Sequence, residues 1–222
     1  MSIRRRLAVA LVLALVAVIG AAQAQQRRPT PPGTAAPAST PLSDQDRRDV
    51  QRVEAHLNEL RSLTADFLQI SDQGGVAEGR IYLQRPGRLR LDYADPTPLL
   101  IIAARGQIIQ HDRELKQTTY LPLSSSPAAI LLRERIALSG DVTVAAVERA
   151  AGTLRIGLIQ TEDPRAGRLT LVFRDSPLQL ANWVVVDGQG ATTRVNLTNI
   201  QSGTTIDQKL FEFRDDPLQR GN

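Results

Sequence analysis

The chain has two histidines, His56 and His111, and no cysteine. A metal site would need scattered carboxylates, because no thiol cluster or HExxH pair is present. Asp92 and Asp95 are the carboxylates best spaced for general acid–base work. Asp92 falls on the polar face of a predicted strand and Asp95 precedes Pro96 in a turn, so solvated turn chemistry accounts for both. Ser124-Ser125-Ser126 offers hydroxyl nucleophiles, but no GxSxG surrounds them and the run reads as a turn and helix cap. Asp187-Gly188-Gln189-Gly190 contains a GxG. Without a βαβ unit or a third glycine it is a hairpin loop and not a nucleotide fingerprint. These residues form no recognisable catalytic cluster. The chain is therefore not expected to be an enzyme, and no cofactor or metal is expected.

Charge narrows the partners. The 27 basic and 23 acidic residues give +4. Arg4, Arg5 and Arg6 belong to an N-terminal segment that reads as an export signal. Leu7 to Ile19 is its apolar stretch and Ala22-Gln23-Ala24 its small-residue cleavage site, with cleavage expected after Ala24. The apolar stretch falls short of the roughly 20 residues that span a bilayer. Without those three arginines, 24 basic residues face 23 acidic ones; without Arg27 and Arg28 as well, 22 face 23. Such balance does not fit a nucleic-acid binder, which carries a basic stripe. The lack of cysteine excludes disulfides and lipid attachment at an N-terminal cysteine. The mature chain is expected to be exported and unanchored.

Residues 25–42 are rich in Pro, Ala, Thr and Gln and read as a disordered linker. The folded domain is expected over 43–222. A helix is predicted over 43–61, with Ser43 as N-cap, Asp44 and Asp46 in its first turn, and Val50, Val53, Leu57 and Leu60 as its apolar stripe. Strands are predicted at 63–71, 76–84, 88–94, 98–103, 107–112 and 115–121. One or two short apolar helices are predicted within 124–138, where Pro127 opens Ile130-Leu131-Leu132. Strands resume at 142–149, 153–160, 168–174, 178–187 and 191–201, and Phe211 and Phe213 read as a closing strand. This order predicts an α+β fold: one curled antiparallel sheet of about eleven strands, an incomplete barrel, with short helices over one face. The segments 98–103 and 182–186 are apolar on both faces and need cover on both sides.

Residues 85–93 set the orientation of the sheet. Pro86 fixes φ in a turn and Gly87 can supply the positive φ that follows. Leu89, Leu91 and Tyr93 then point one way, and Arg88, Arg90 and Asp92 the other. We expect Leu89, Leu91 and Tyr93 to face inward. A two-residue loop would pair Leu91 with Tyr82 and put Ile81 and Leu83 on the opposite face, whereas a longer loop reverses that. The facing of 76–84 therefore stays open.

Several pieces, in order and spacing, resemble one family. They are Ala65-Asp66-Phe67-Leu68-Gln69, Gly79 through Arg85-Pro86-Gly87, Leu89-Arg90-Leu91-Asp92-Tyr93 before Pro96, and Gln117. Pro127-Ala128-Ala129-Ile130-Leu131-Leu132, Asp187-Gly188-Gln189-Gly190, Asn196-Leu197-Thr198-Asn199 and Phe211-Glu212-Phe213 complete the set. The chain resembles the periplasmic outer-membrane lipoprotein carriers, the LolA type, from about Val50 to Phe213.

The resemblance implies a half-barrel whose apolar cavity takes the acyl chains of triacylated lipoproteins under a lid of helices. Loading is expected from an inner-membrane lipoprotein-releasing transporter. Unloading is expected at an outer-membrane lipoprotein receptor or the outer membrane itself, with the carrier a periplasmic monomer. Val53, Leu57, Phe67, Leu89, Leu91 and Tyr93 are the expected cavity residues. Ile130, Leu131 and Leu132 are the expected lid, and Arg85 matches the family's arginine that hydrogen-bonds lid carbonyls. The alternative is a related half-barrel module that binds another envelope lipid or regulates a partner. The chain departs from the family at Leu89 and Leu91, where aromatics are frequent, at Arg105-Gly106 in place of Asp-Gly, and at Asp215-Asp216-Pro217 in place of the usual ending.

Overall fold

The computed structural model describes residues 41–213. The expected export signal, nearly all of the expected linker, and Asp215, Asp216 and Pro217 lie outside them. Helix α1 (Asp44–Glu59) is followed by β1 (Ser62–Ser71), β2 (Val76–Gln84), β3 (Arg88–Tyr93), β4 (Leu99–Ala104), β5 (Gln107–Asp112) and β6 (Gln117–Pro122). Two 3-10 segments, Leu123–Ser125 and Pro127–Leu132, lead to β7 (Val142–Ala150), β8 (Thr153–Gln160), β9 (Gly167–Asp175), β10 (Leu178–Asp187) and β11 (Thr192–Ser202). All eleven strands form one antiparallel sheet in the order β6-β5-β4-β3-β2-β1-β11-β10-β9-β8-β7. The sheet curls without closing, as the strand pattern predicts.

Cross-strand partners share a face, so the registers trace whole rows of the interior. Leu63, Leu83, Leu89, Ala103, Ile108 and Leu121 are successive partners across β1 to β6. Val195, Trp183, Leu171, Ile156 and Val147 do the same from β11 to β7. Both rows belong to or pack against one buried apolar cluster on the inner face. Each fully buried Leu or Ile contributes about 1.5–3 kcal/mol relative to exposure.

The facing of β2 follows from the turn. Gln84 pairs with Arg88, so Arg85, Pro86 and Gly87 make a three-residue turn. The Arg85–Pro86 peptide is cis and Gly87 has φ +72. Leu91 therefore pairs with Ile81 and Leu89 with Leu83, which puts all four on the inner face.

Topology dictates what covers that face. β6 and β7 are the two free edges, so the chain between them must cross the open side. Ile130, Leu131, Leu132, Ile136 and Leu138 of this crossing segment join the same inner cluster as α1's Val53 and Leu57. Ser43 caps α1 in a reciprocal box: Ser43 Oγ accepts from the Asp46 N–H at 3.1 Å, and Asp46 accepts from the Ser43 N–H at 2.9 Å.

The expected strand at Phe211 and Phe213 is corrected. Gln208–Phe211 is a 3-10 turn whose first backbone groups are held by the Asp207 side chain. The two phenylalanines mimic strand alternation, but the segment pairs with neither free edge of the sheet. It lies instead on the outer face against β3 and β4, where Arg90 Nη1 donates to the Leu210 carbonyl at 3.0 Å. Phe211 and Ile206 are buried there, as are Leu100 and Ile102 of β4. This segment is the outer cover that the doubly apolar β4 requires.

Candidate functional site

Arg85 sits in the β2–β3 turn and is 7% exposed. Its Nε donates to the Arg133 carbonyl at 2.7 Å and its Nη2 to the Glu134 carbonyl at 3.0 Å. On the other side, Nη1 donates to the carbonyls of Leu57 and, at 3.3 Å, Leu60, while Nη2 reaches Asn58 Oδ1 at 3.3 Å. One guanidinium thus joins the sheet, the last turn of α1 and the crossing segment. The α1 carbonyls are available because a helix end leaves its last acceptors without partners. Among the described residues no carboxylate pairs with this guanidinium. Burial pushes its pKa below the usual arginine value, and the nearby Arg61 charge adds to that.

Other side chains fix the crossing segment to α1. Asn58 donates to the Ile136 carbonyl at 2.8 Å and accepts from the Ile136 N–H at 2.9 Å. Glu54 Oε2 accepts from the Leu138 N–H at 2.9 Å. At its other end α1 is held by ion pairs: Arg149 to Asp46 and Asp49, and Arg52 to Asp175. Sequence reasoning missed Asn58 and Glu54, because their partners lie 78 and 84 residues away and helix periodicity carries no trace of them.

Under this cover the apolar side chains of the sheet, α1 and the crossing segment pack into one cluster. A void of about 10 Å³ remains, lined by residues including Leu57, Ile81, Leu83, Arg85, Leu131 and Trp183. That holds one water at most. Deeper in, Phe67 and Tyr93 meet edge-to-face with centroids 5.0 Å apart. Gly79 lies between them in the register, and a Cβ there would sit 2.0 Å from the Asp92 carbonyl oxygen and 2.9 Å from the Phe67 ring. Tyr93 donates its hydroxyl to Gln69 Oε1 at 2.8 Å, and burial pushes its pKa well up.

Residues 58–214 match the family model described as outer membrane lipoprotein carrier protein LolA. The chain belongs to the LolA family. An outer-membrane lipoprotein carrier protein of Methylococcus capsulatus is 32% identical over 73% of this chain and 81% of its own. One from Legionella pneumophila is 28% identical over 73% and 83%. A crystal structure of a LolA superfamily protein from Nitrosomonas europaea overlaps 73% of this chain and 97% of its own at 10% identity, with a TM-score of 0.41.

Within this LolA chain, the six expected cavity residues meet on one face. Val53, Leu57, Phe67, Leu91 and Tyr93 are buried in the inner cluster and Leu89 packs half-buried against it. Ile130, Leu131 and Leu132 belong to the same cluster. The candidates for catalysis disperse. Asp92 is engaged by Arg90 at 2.6 Å and Arg113 at 3.0 Å, while Asp95 is exposed. His111 contacts Thr118 and the Phe213 ring. His56 lies edge-on to Phe173, and burial pushes its pKa down. Ser125 donates to the Pro122 carbonyl, and Ser126 is the N-cap of the second 3-10 segment. Among the described residues no cluster of three or more metal-ligating side chains occurs, and no helix is long and apolar enough to cross a membrane.

Proposed function

We propose that this protein carries lipoproteins through the periplasm, from the inner to the outer membrane, by sheltering their acyl chains on the inner face of the half-barrel. The observation that carries this reading is Arg85, a buried charge held by neutral acceptors from both halves of the cover. Family membership and the carrier names of its relatives support it.

The energetics fit a device that must both hold and release. Each buried CH₂ is worth about 0.8 kcal/mol, and two lipid anchors already hold a protein stably on a membrane. Three chains need comparable apolar area to leave it. Ile130, Leu131, Leu132, Ile136 and Leu138 of the crossing segment occupy the inner face, so lifting the cover is what frees that area for acyl chains. Hydrogen bonds to a charged group contribute about 1.5–3 kcal/mol each, net of the bonds to water that they replace. Reforming several of them at Arg85 offsets the loss of acyl contacts when cargo leaves. The closed form is thus the driving force for release.

Arg85→Leu is therefore expected to accept a triacylated lipoprotein and fail to pass it on, with circular dichroism close to wild type. Transfer at the wild-type rate would remove Arg85 from this role. Native mass spectrometry of carrier purified from the periplasm tests the cargo: acylated polypeptide supports the carrier, and free lipid alone would favour a module for another envelope lipid.

A further inference from the structure

The connections of the sheet sort by charge. Antiparallel strands joined in chain order turn at alternate ends, so successive connections lie at opposite ends of the molecule. At one end are the α1–β1 link, the β2–β3 turn and the β4–β5 turn, which carry Arg61, Arg85 with Arg88, and Arg105. Leu89 pairs with Ala103, so Arg88 and Arg105 leave neighbouring strands at the same level. The crossing segment meets this end too. The Gly87 N–H donates to the Leu132 carbonyl at 2.7 Å and Arg61 Nη1 to the Glu134 carbonyl at 3.1 Å, which brings Arg135 alongside. The opposite end holds the β1–β2, β3–β4, β5–β6, β8–β9 and β10–β11 connections. They carry Asp72, Asp95, Glu114, Glu162 and Asp163 against Arg113, Lys116 and Arg165, and Asp112 and Asp187 border them.

Arg61, Arg88, Arg105 and Arg135 are all exposed, and none has an ion pair with a carboxylate among the described residues. Arg88 is held by the neutral side chains of Gln84 and Gln208. Glu59 and Glu134 are the acidic residues beside them in the chain, while Asp207 and Lys209 cancel. Elsewhere at this end the charges are matched, Arg149 by Asp46 and Asp49 and Arg52 by Asp175. Arg105 is the most telling of the four. It has φ +52 and Gly106 φ +77, a two-residue hairpin whose first position favours Asn, Asp or Gly. Arginine stands there against that preference and makes no hydrogen bond or ion pair within the described residues. The four cations project from separate connections, so they form a rim and not a pocket. A rim suits an extended plane of negative charge better than a single anionic group.

We propose that this rim is a docking surface for the anionic headgroups of a phospholipid bilayer, and that the protein meets the bilayer rim first, with its acidic connections turned away. Arginines near such a surface are attracted to it, and carboxylates are repelled. The opposite charge of the two ends thus gives orientation as well as attraction. The proposal needs no cargo and does not depend on the carrier reading.

The test uses the full mature chain and sedimenting vesicles of phosphatidylcholine, with and without phosphatidylglycerol. The chain should pellet with the anionic vesicles at low salt and stay in solution with the neutral ones. Sodium chloride should release it, because the attraction fades within about 10 Å at 0.1 M salt. Arg88→Gln, Arg105→Asn and Arg135→Gln should each weaken binding roughly fivefold, while Glu162→Gln at the acidic end should bind as wild type does. Arg105→Asn suits its turn, so its loss of binding is not a folding effect. Orientation is read separately. A dye on Gln107→Cys should be quenched by spin-labelled lipid in anionic vesicles, and a dye on Gln189→Cys should not. Equal pelleting with both vesicle types, arginine variants that bind as wild type does, or equal quenching at both ends would overturn the proposal. A rim made for an acidic protein surface would leave the chain in solution with either vesicle, which overturns it as well.

Discussion

At the scale of single residues, the inner face is a packed apolar cluster with a position, Gly79, that has no room for added volume. Gly79→Ala is expected to destabilise the fold by about 1–3 kcal/mol, as overpacking does, because the added Cβ would meet the Asp92 carbonyl oxygen at 2.0 Å. Chemical denaturation checks this. Leu91→Glu tests what the face is for. In the closed form the new carboxylate has no water and no partner, a cost of several kcal/mol; Leu91 is 4% exposed. If the cover can lift, water reaches the charge. The variant should then keep its β-sheet spectrum, lose lipopeptide uptake and exchange amides of 123–138 faster. Global unfolding would mean that the face is ordinary core. Leu89, Leu91 and Tyr93 were legible as inward residues from alternation alone. Ile81 and Leu83 were not, because one extra residue in the turn decides their side and nothing in the sequence counts that residue.

At the scale of elements, α1 shows which signals survive into structure. The N-cap Ser43, the acidic first turn and the Val50–Leu60 stripe are local, and all were legible. Asp46 gives a test of the cap. The Ser43 hydroxyl, then the Ser43 N–H, then Arg149 hold its carboxyl down to about 2 from 3.8. A depressed value in the folded state means stability that is complete above the unfolded value and is lost as pH falls through the folded one. The first turn of α1 should therefore stay protected at pH 4 and fray toward pH 2. Amide exchange at residues 44–47, compared with the middle of the helix, measures it. By contrast, the turn at Gln208–Phe211 was misread as a strand. Its conformation is set by Asp207 and by an outer-face site on β3 and β4, which is distant in sequence.

At the scale of the whole molecule, the strand order places the connection between β6 and β7 across the open side. The sequence showed both the strands and the short apolar helices between them. It did not show that the connection is pinned by Asn58 and Glu54, since those contacts exist only after folding, and Arg85 was expected there only from the family resemblance. Leu57 and Leu131 line the same small void, one from each half of the cover. The chain has no cysteine of its own, so a Leu57→Cys/Leu131→Cys pair has no competing thiol. Its oxidation is expected to block loading and its reduction to restore it, as followed by lipopeptide binding. If the crosslink forms and loading continues, the cover does not gate the inner face.

The free edges at β6 and β7 have one more consequence. A closed barrel fixes its bore by strand number and shear. A sheet that never seals has no such ruler, because its curvature can relax until whatever lies inside is in contact on all sides. On the carrier reading proposed above, one such protein is expected to accept clients whose chains differ in length and saturation. On that reading the choice of passengers would fall to whatever loads and unloads the ferry, and not to the ferry itself.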